Sequence, residues 1–383
     1  MTTYRTPVDP VVIVGAGPAG LATAYALQRR GVTASLLEKN DRAGASWETY
    51  YDALRLNSGR VVSSLPGMRI DRRYGRWVGR DDFIAYLRRY ASSLAAPTEF
   101  GVSVDRIDRD GHDWSLQTSN GPMRARAAVV ATGLNAVAST PHWATGASAN
   151  NVLHSRHYRN SLPYRGRTVL VVGAGASAHD IALDLTRGGA TQVWMSVRTP
   201  PLLVPRQIFG VSSSVLAMLI KHGPSAPGGL IDAASKLLHH AWFPDAQRLL
   251  GTPPVGLASA SRDRGHGVAV EVGVLDAVRS GDVTILPGVA GLDDGTVTLD
   301  DGRRLHPDAI ILATGQRPAL EKMVGPLGVL DDRGMPLAHA AKDLDVARNL
   351  FFVGFRLPAG QLPDLRIDAH AIARRIARSS ARG

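Results

Sequence analysis

The sequence contains no cysteine. That absence excludes disulfides, thiolate-held metal clusters and any reaction in which a thiol pair exchanges electrons with a disulfide, because each needs a thiolate sulfur. No window approaches the roughly eighteen unbroken apolar residues that cross a bilayer. Met1–Pro10 lacks the basic-then-apolar pattern of an export signal, so a cytoplasmic protein without a membrane span is expected. Lysine is scarce: only five residues of the 44 Lys and Arg, so a formal charge of +11 rests mainly on scattered arginines. No basic run alternates with aromatics, which are 6% of the chain, and nucleic acid is not an expected partner. The twelve histidines show no metal-ligand spacing, and the adjacent His239 and His240 cannot easily converge on one ion, so no metal is expected.

What is present suits two packed domains: 383 residues, 44% hydrophobic and 20% charged. Two segments repeat the order strand, glycine turn, helix. The first is Val11–Val14, then Gly15-Ala16-Gly17-Pro18-Ala19-Gly20, then a helix over Leu21–Arg30. The second is Thr168–Val172, then Gly173-Ala174-Gly175-Ala176-Ser177-Ala178, then a helix to about Arg187. Short, wholly apolar strands of this kind are buried on both faces, as in a parallel sheet. Two further strands echo each other, both ending Ala-Thr-Gly: one runs into Ala131-Thr132-Gly133, the other into Ala313-Thr314-Gly315. Each follows a hairpin signal, Asn120-Gly121 or Asp301-Gly302. Residues Pro200 to Pro254 read as helices broken by Pro and Gly, with Ser212–Ile220 and Leu230–Trp242 the clearest. They form either an insertion over the active site, a dimer surface or an ordinary helical excursion.

The glycine spacing has a physical meaning when a strand precedes it and a helix follows. The first glycine permits a tight turn, the second lets the backbone approach a pyrophosphate, and the third lets the helix pack on the strand. The helix start then presents free N–H groups and its positive dipole end to the phosphates. Glu38, with Lys39 beside it, closes the strand after the first turn, where a carboxylate can accept from ribose hydroxyls. The strand after the second turn ends in Arg198 instead. A guanidinium there can clamp a 2′-phosphate that a carboxylate would repel, so the second site is expected to prefer NADPH. The positive field of the chain would help to collect such anionic dinucleotides.

Together the double glycine motif, Gly44-Ala45-Ser46-Trp47, the two Ala-Thr-Gly strands and the ending Leu350–Phe355 resemble the flavin-containing monooxygenases, nearest to bacterial relatives of the YUCCA-type enzymes. The resemblance covers almost the whole chain. It implies FAD at the first turn and NADPH at the second. Gly44, Ser46 and Trp47 match the family's loop against the flavin. Asn57, ending Tyr51–Asn57, matches a residue that in many members faces the flavin and the nicotinamide, although Asn57-Ser58-Gly59 is also ordinary turn sequence. Gly354 would follow a strand under the isoalloxazine, and Gln361-Leu362 would lie by the pyrimidine side, before an amphipathic helix over Asp368–Arg378. His154 matches a family linker, but Ser148 and Asn150 stand where the family has Phe-x-Gly, and Ala176 where close relatives carry Asn.

The expected architecture is α/β, with two Rossmann-like dinucleotide-binding domains, the NADPH domain (151–307) inserted into the FAD domain (1–150 and 308–383). The resemblance implies that NADPH reduces FAD, that a C4a-hydroperoxyflavin forms with O2, and that one oxygen passes to an amine, sulfur or carbonyl centre of a small molecule. The alternatives are an NADPH-dependent flavin oxidoreductase without oxygenation and a non-catalytic flavin-binding protein. A homodimer is a further expectation.

Overall fold

The computed structural model describes residues 8–145, 151–215, 218, 227–262, 268–342, 344–355 and 361–380. The chain opens with β1 (Val8–Val14), α1 (Pro18–Gln28) and β2 (Ser35–Glu38). It continues through α2 (Arg80–Ser92) and β3 (Thr98–Phe100) into a meander of β4 (Val104–Asp110), β5 (Asp113–Thr118) and β6 (Gly121–Val130). Strands β3, β2, β1 and β6 lie side by side and parallel, with Ile13 level with Leu36 and Val129. Side chains alternate across a strand, so Val11 and Ile13 face a core shared with α1 and α2, while Val12 and Val14 face one shared with the meander. A strand covered on both faces is apolar at every position, which is why β1 carries no polar alternation. α1 starts at Pro18, earlier than Leu21, because a proline at the first helical position loses nothing by lacking an N–H.

A second body follows, built on β7 (Val152–His154), β8 (Thr168–Val172), α3 (Ala176–Arg187) and β9 (Gln192–Ser196). β10 (Leu202–Pro205) and α4 (Gly228–Trp242) come next, then β11 (Val268–Glu271), β12 (Val283–Leu286) and β13 (Ala309–Leu312). Its sheet runs β12-β9-β8-β13-β7, every neighbour parallel. β10 pairs with β11 as a separate parallel ribbon. The hairpin turns at Asn120-Gly121 and Asp301-Gly302 are both present. Of the helix expected over Ser212–Ile220, residue 212 ends a two-residue strand, 213–215 and 218 are helical, and the others lie outside the described residues.

The domain boundary expected at 308 is corrected by β13. That strand lies between β8 and β7, so the second body extends through Leu312. Four apolar residues buried on both faces fit only a central strand. The chain then returns as β14 (Leu350–Phe352), parallel to the second half of β6, whose first half is occupied by β5. It ends in α5 (Gln361–Ser380), longer than expected, which packs Ala369, Ile372, Ala373 and Ile376 into the α1 core. None of the described helices is long and apolar enough to cross a membrane.

Candidate functional site

At the first glycine turn each glycine has its own reason. Gly15 holds φ +109°, a left-handed value that a side chain resists, and a Cβ there would stand 2.8 Å from the Ala131 carbonyl oxygen. A Cβ on Gly20 would collide with the Gly15 carbonyl, so the third glycine lets α1 close on β1. Gly17 has nothing within 4 Å of its missing Cβ. Its backbone faces open space at the start of α1, with room for an anion beside the helix's free N–H groups. Glu38 is buried; its carboxylate accepts from the Ala16 N–H (2.8 Å) and from the Asn40 backbone (3.0 Å) and side-chain (2.6 Å) N–H groups. The acid is thereby pinned at the end of β2 beside the turn.

A cavity of about 1080 Å³ opens here. From the first body it is lined by Gly15, Gly17, Pro18, Ala19, Glu38, Lys39, Ser46, Trp47 and Asn57, by Ala131, Thr132 and Gly133, and by Gly354 and Leu362. Trp47 serves as wall and core together: it packs edge-on against Phe83 at 4.6 Å between ring centroids and tilts against Tyr50 at 5.5 Å. Asn57 is half-buried and its amide has no hydrogen-bond partner among the described residues. Gly44 stands back from the cavity. It turns the chain at φ +73° against Leu87 and donates its N–H to Ala16. Gly354, at φ +83°, lets the return strand pass Ala19, whose Cβ would lie 3.0 Å from an added one. Gln361 opens α5, and its side chain lies outside the described residues.

The second turn repeats the geometry with one change. Gly173 holds φ +131°, and a Cβ would strike the Ala313 carbonyl; Gly175 faces open space. The two Ala-Thr-Gly echoes are thus explained: in each sheet the alanine carbonyl seals the first glycine of the turn. Ala178 is fully buried where the third glycine would be, so α3 accepts a methyl group that α1 cannot. Of the second set only Ala176 reaches the cavity; Gly173, Gly175, Ser177, Arg198, Ala313, Thr314 and Gly315 do not line it. Arg198 is exposed just past the end of β9, with no ion-pair or hydrogen-bond partner among the described residues.

Thr314 and Gly315 hold the seam between the bodies. The Thr314 hydroxyl donates to the Ser139 carbonyl at 2.6 Å, and the Gly315 carbonyl accepts from the Ser139 N–H at 3.0 Å. His154 joins them. Its Nδ1 lies 3.1 Å from the Arg156 N–H, which can only donate, so the proton of the neutral ring sits on Nε2 and is donated to the Gly315 carbonyl at 3.1 Å. Burial holds His154 below its usual pKa. With both nitrogens engaged by backbone, His154 is a linker brace. Ser148 and Asn150 lie outside the described residues. Ser177 stands at the start of α3, and one turn on the Asp180 carboxylate accepts from the Tyr51 hydroxyl at 2.7 Å.

Several wall residues carried no local signal. Val102–Asp105 and Met323 line the cavity too, with the Val102 N–H donating to the Glu38 carbonyl as the chain leaves β3, the neighbour of β2. Leu203, Val204, Ile208, Leu238, His239, Trp242, Val268 and Val270 bring the β10–β11 ribbon and α4 over the Asn57 side. Described residues of the region 200–254 thus contribute to the wall of the cavity.

Comparison with known proteins agrees with this geometry. A family described as pyridine nucleotide-disulphide oxidoreductase matches residues 12–207. The indole-3-pyruvate monooxygenase YUCCA1 of Oryza sativa subsp. japonica is 32% identical over 358 residues, spanning 92% of this chain and 87% of the relative. The indole-3-pyruvate monooxygenase YUCCA6 of Arabidopsis thaliana is 32% identical over 357 residues, spanning 90% and 85%. In fold, a flavin-containing monooxygenase from Stenotrophomonas maltophilia superposes with a TM-score of 0.75 at 23% identity, covering 98% of this chain and all of that one.

Proposed function

The chain belongs to the flavin-containing monooxygenase family, beside the YUCCA-type enzymes, and from that membership we propose how its own residues divide the work of an FAD- and NADPH-dependent oxygenation. FAD when bound supplies the oxygen activation, and NADPH supplies the electrons. The first body fits FAD: the open face of Gly17 and the start of α1 take the pyrophosphate, and the buried Glu38, with Lys39 beside it, takes the adenosine ribose. Ala131, Thr132, Gly133, Gly354 and Leu362 form the floor and Trp47 a wall that keeps water from the ring. In the second body Gly175, Ala176 and Ser177 take the NADPH pyrophosphate, and the exposed Arg198 clamps the 2′-phosphate. Asn57, whose amide has no partner among the described residues, donates a hydrogen bond at the site of oxygen transfer.

The observation that carries this reading is one cavity that touches both glycine turns, through Gly15, Gly17, Pro18 and Ala19 and through Ala176. With no cysteine in the chain, no disulfide of its own can take up the electrons. The lining over Asn57 is mainly apolar, with Leu203, Val204, Ile208, Leu238, Trp242 and Val268. That suits a small substrate with a flat apolar body, and the relatives' indole-3-pyruvate is the first to try. The test is turnover under ¹⁸O2. Oxygen consumed one-for-one with NADPH, and one labelled atom in the product, is the expected result. Turnover that proceeds equally well without O2 would refute it.

A further inference from the structure

Arg206 follows β10 in the second body, yet its side chain's hydrogen bond and ring contact are made to the first. Its Nη2 donates to the Leu56 carbonyl at 3.1 Å, and its guanidinium lies over the Trp77 ring, 4.3 Å from the centroid. Its Nε is buried without a hydrogen-bond partner, and burial holds its pKa below the usual arginine value. A buried cation is costly unless it is compensated, and here the Leu56 carbonyl, the Trp77 ring face and the charge of Asp180 offset that cost.

What it holds is one particular peptide plane. The Leu56 carbonyl belongs to the same rigid unit as the Asn57 N–H, so fixing that oxygen fixes the plane from which Asn57 departs. The Leu56 N–H is already tied within the first body, to the Val78 carbonyl at 2.9 Å. Among the described residues the carbonyl side is tied only from the second body. Neighbouring contacts seat the same segment: Arg76 donates to the Gln207 side chain at 2.6 Å, and Gly59 lies close to Ser212. Leu56, Asn57 and Ser58 line the cavity opposite Val204, Pro205 and Ile208.

We infer that Arg206 is a positioning residue for oxygen transfer: it makes the placement of Asn57 conditional on the two bodies being docked. This rests on the monooxygenase reading and on the donor role of Asn57. Electrons would then be used productively only in the docked state, and a loosened Asn57 would let them leave as hydrogen peroxide.

The experiment compares wild type with Arg206→Met, Arg206→Lys, Asn57→Ala and the double variant Arg206→Met/Asn57→Ala. Each is matched for bound flavin and for melting temperature. Hydrogen peroxide and product per NADPH are measured with indole-3-pyruvate, together with the rate of flavin reduction by NADPH. Arg206→Met is expected to raise peroxide per product on the order of tenfold, the equivalent of one hydrogen bond from a charged donor, with flavin reduction unchanged. Arg206→Lys recovers part of the coupling, since an ammonium can still reach the carbonyl but cannot stack as a plane. The double variant is no worse than Asn57→Ala alone. Additive losses, or full coupling in Arg206→Met, would overturn the inference while leaving the oxygenase reading intact. If the wild type incorporates no oxygen, the oxygenase reading fails first. Should Arg206→Met lose flavin or melt early, Arg206→Lys decides, with unchanged peroxide release counting against the inference.

Discussion

His179 and Asp180 are neighbours on α3, the helix that starts at the second glycine turn, and acid should pull its stability in opposite directions through them. His179 has no exposed surface, and burial lowers its pKa to about 4. Burial raises Asp180 to about 6, despite the Tyr51 hydroxyl and the attraction of Arg206 and Arg187. In the unfolded chain the histidine protonates near 6.5, in the folded chain only near 4, so within that window the unfolded state binds more protons. Stability from a neutral His179 is therefore complete above pH 6.5 and lost as the pH falls; going from pH 7 to pH 5 costs about 2 kcal/mol at 1.36 kcal/mol per tenfold. Asp180 has the reverse sign. Between its ordinary 3.8 and about 6 the folded state holds more protons, so the penalty for burying its charge is relieved by acid, by about 1 kcal/mol over the same interval. The perturbations are His179→Leu, which fills the apolar site without a titrating group, and Asp180→Asn, which keeps an oxygen for the Tyr51 hydroxyl. The assay is the drop in Tm between pH 7 and pH 5 at fixed ionic strength and scan rate. Relative to wild type, the drop should shrink by roughly 2.5 °C in His179→Leu and grow by roughly 1 °C in Asp180→Asn, at about 1.2 °C per kcal/mol for a chain of this length. Comparing each variant with itself removes the change in packing. Equal drops in all three proteins would refute the reasoning.

Gly17→Ala should keep the fold and lose the ligand, since a methyl group there meets no protein atom; the apoprotein Tm stays and FAD affinity falls about tenfold or more as the pyrophosphate is pushed away. Gly20→Ala should lower the apoprotein Tm as well, because its methyl group meets the Gly15 carbonyl; equal stability of the two apoproteins would contradict the division of labour. Arg198→Ala should raise KM for NADPH by about ten- to a hundredfold, the worth of a charge-assisted bond to phosphate, with KM for NADH unchanged; equal changes would remove Arg198 from the phosphate site. His154→Gln can keep a donor to Gly315 but is not expected to restore both braces, so it should lower Tm and leave the pH profile of turnover in place; loss of a titration in that profile would restore a catalytic role to His154.

How far the site was legible depends on what kind of constraint placed each residue. Gly15, Gly17, Gly20 and Glu38 answer to rules that act within one strand-turn-helix unit, and each stands where those rules put it. The Ala-Thr-Gly repeats were visible as an echo, but their task depends on which strand lies beside the turn, a fact of sheet order. The same limit explains the boundary drawn at 308: β13 looks like the return to the first sheet because it repeats the end of β6, and only its pairing with β7 and β8 assigns it to the second. Arg206 lies at the far end of this scale. Its own segment contains nothing but a basic residue after an apolar strand, and its meaning comes from Leu56 and Trp77, far earlier in the chain and in another body. A residue whose side chain joins two bodies has no local pattern to betray it, because its partners lie far away in the sequence. The parts of this enzyme hardest to see in its sequence are therefore those that make one body's chemistry depend on the other's docking, and the coupling of NADPH to product is the measurement that exposes them.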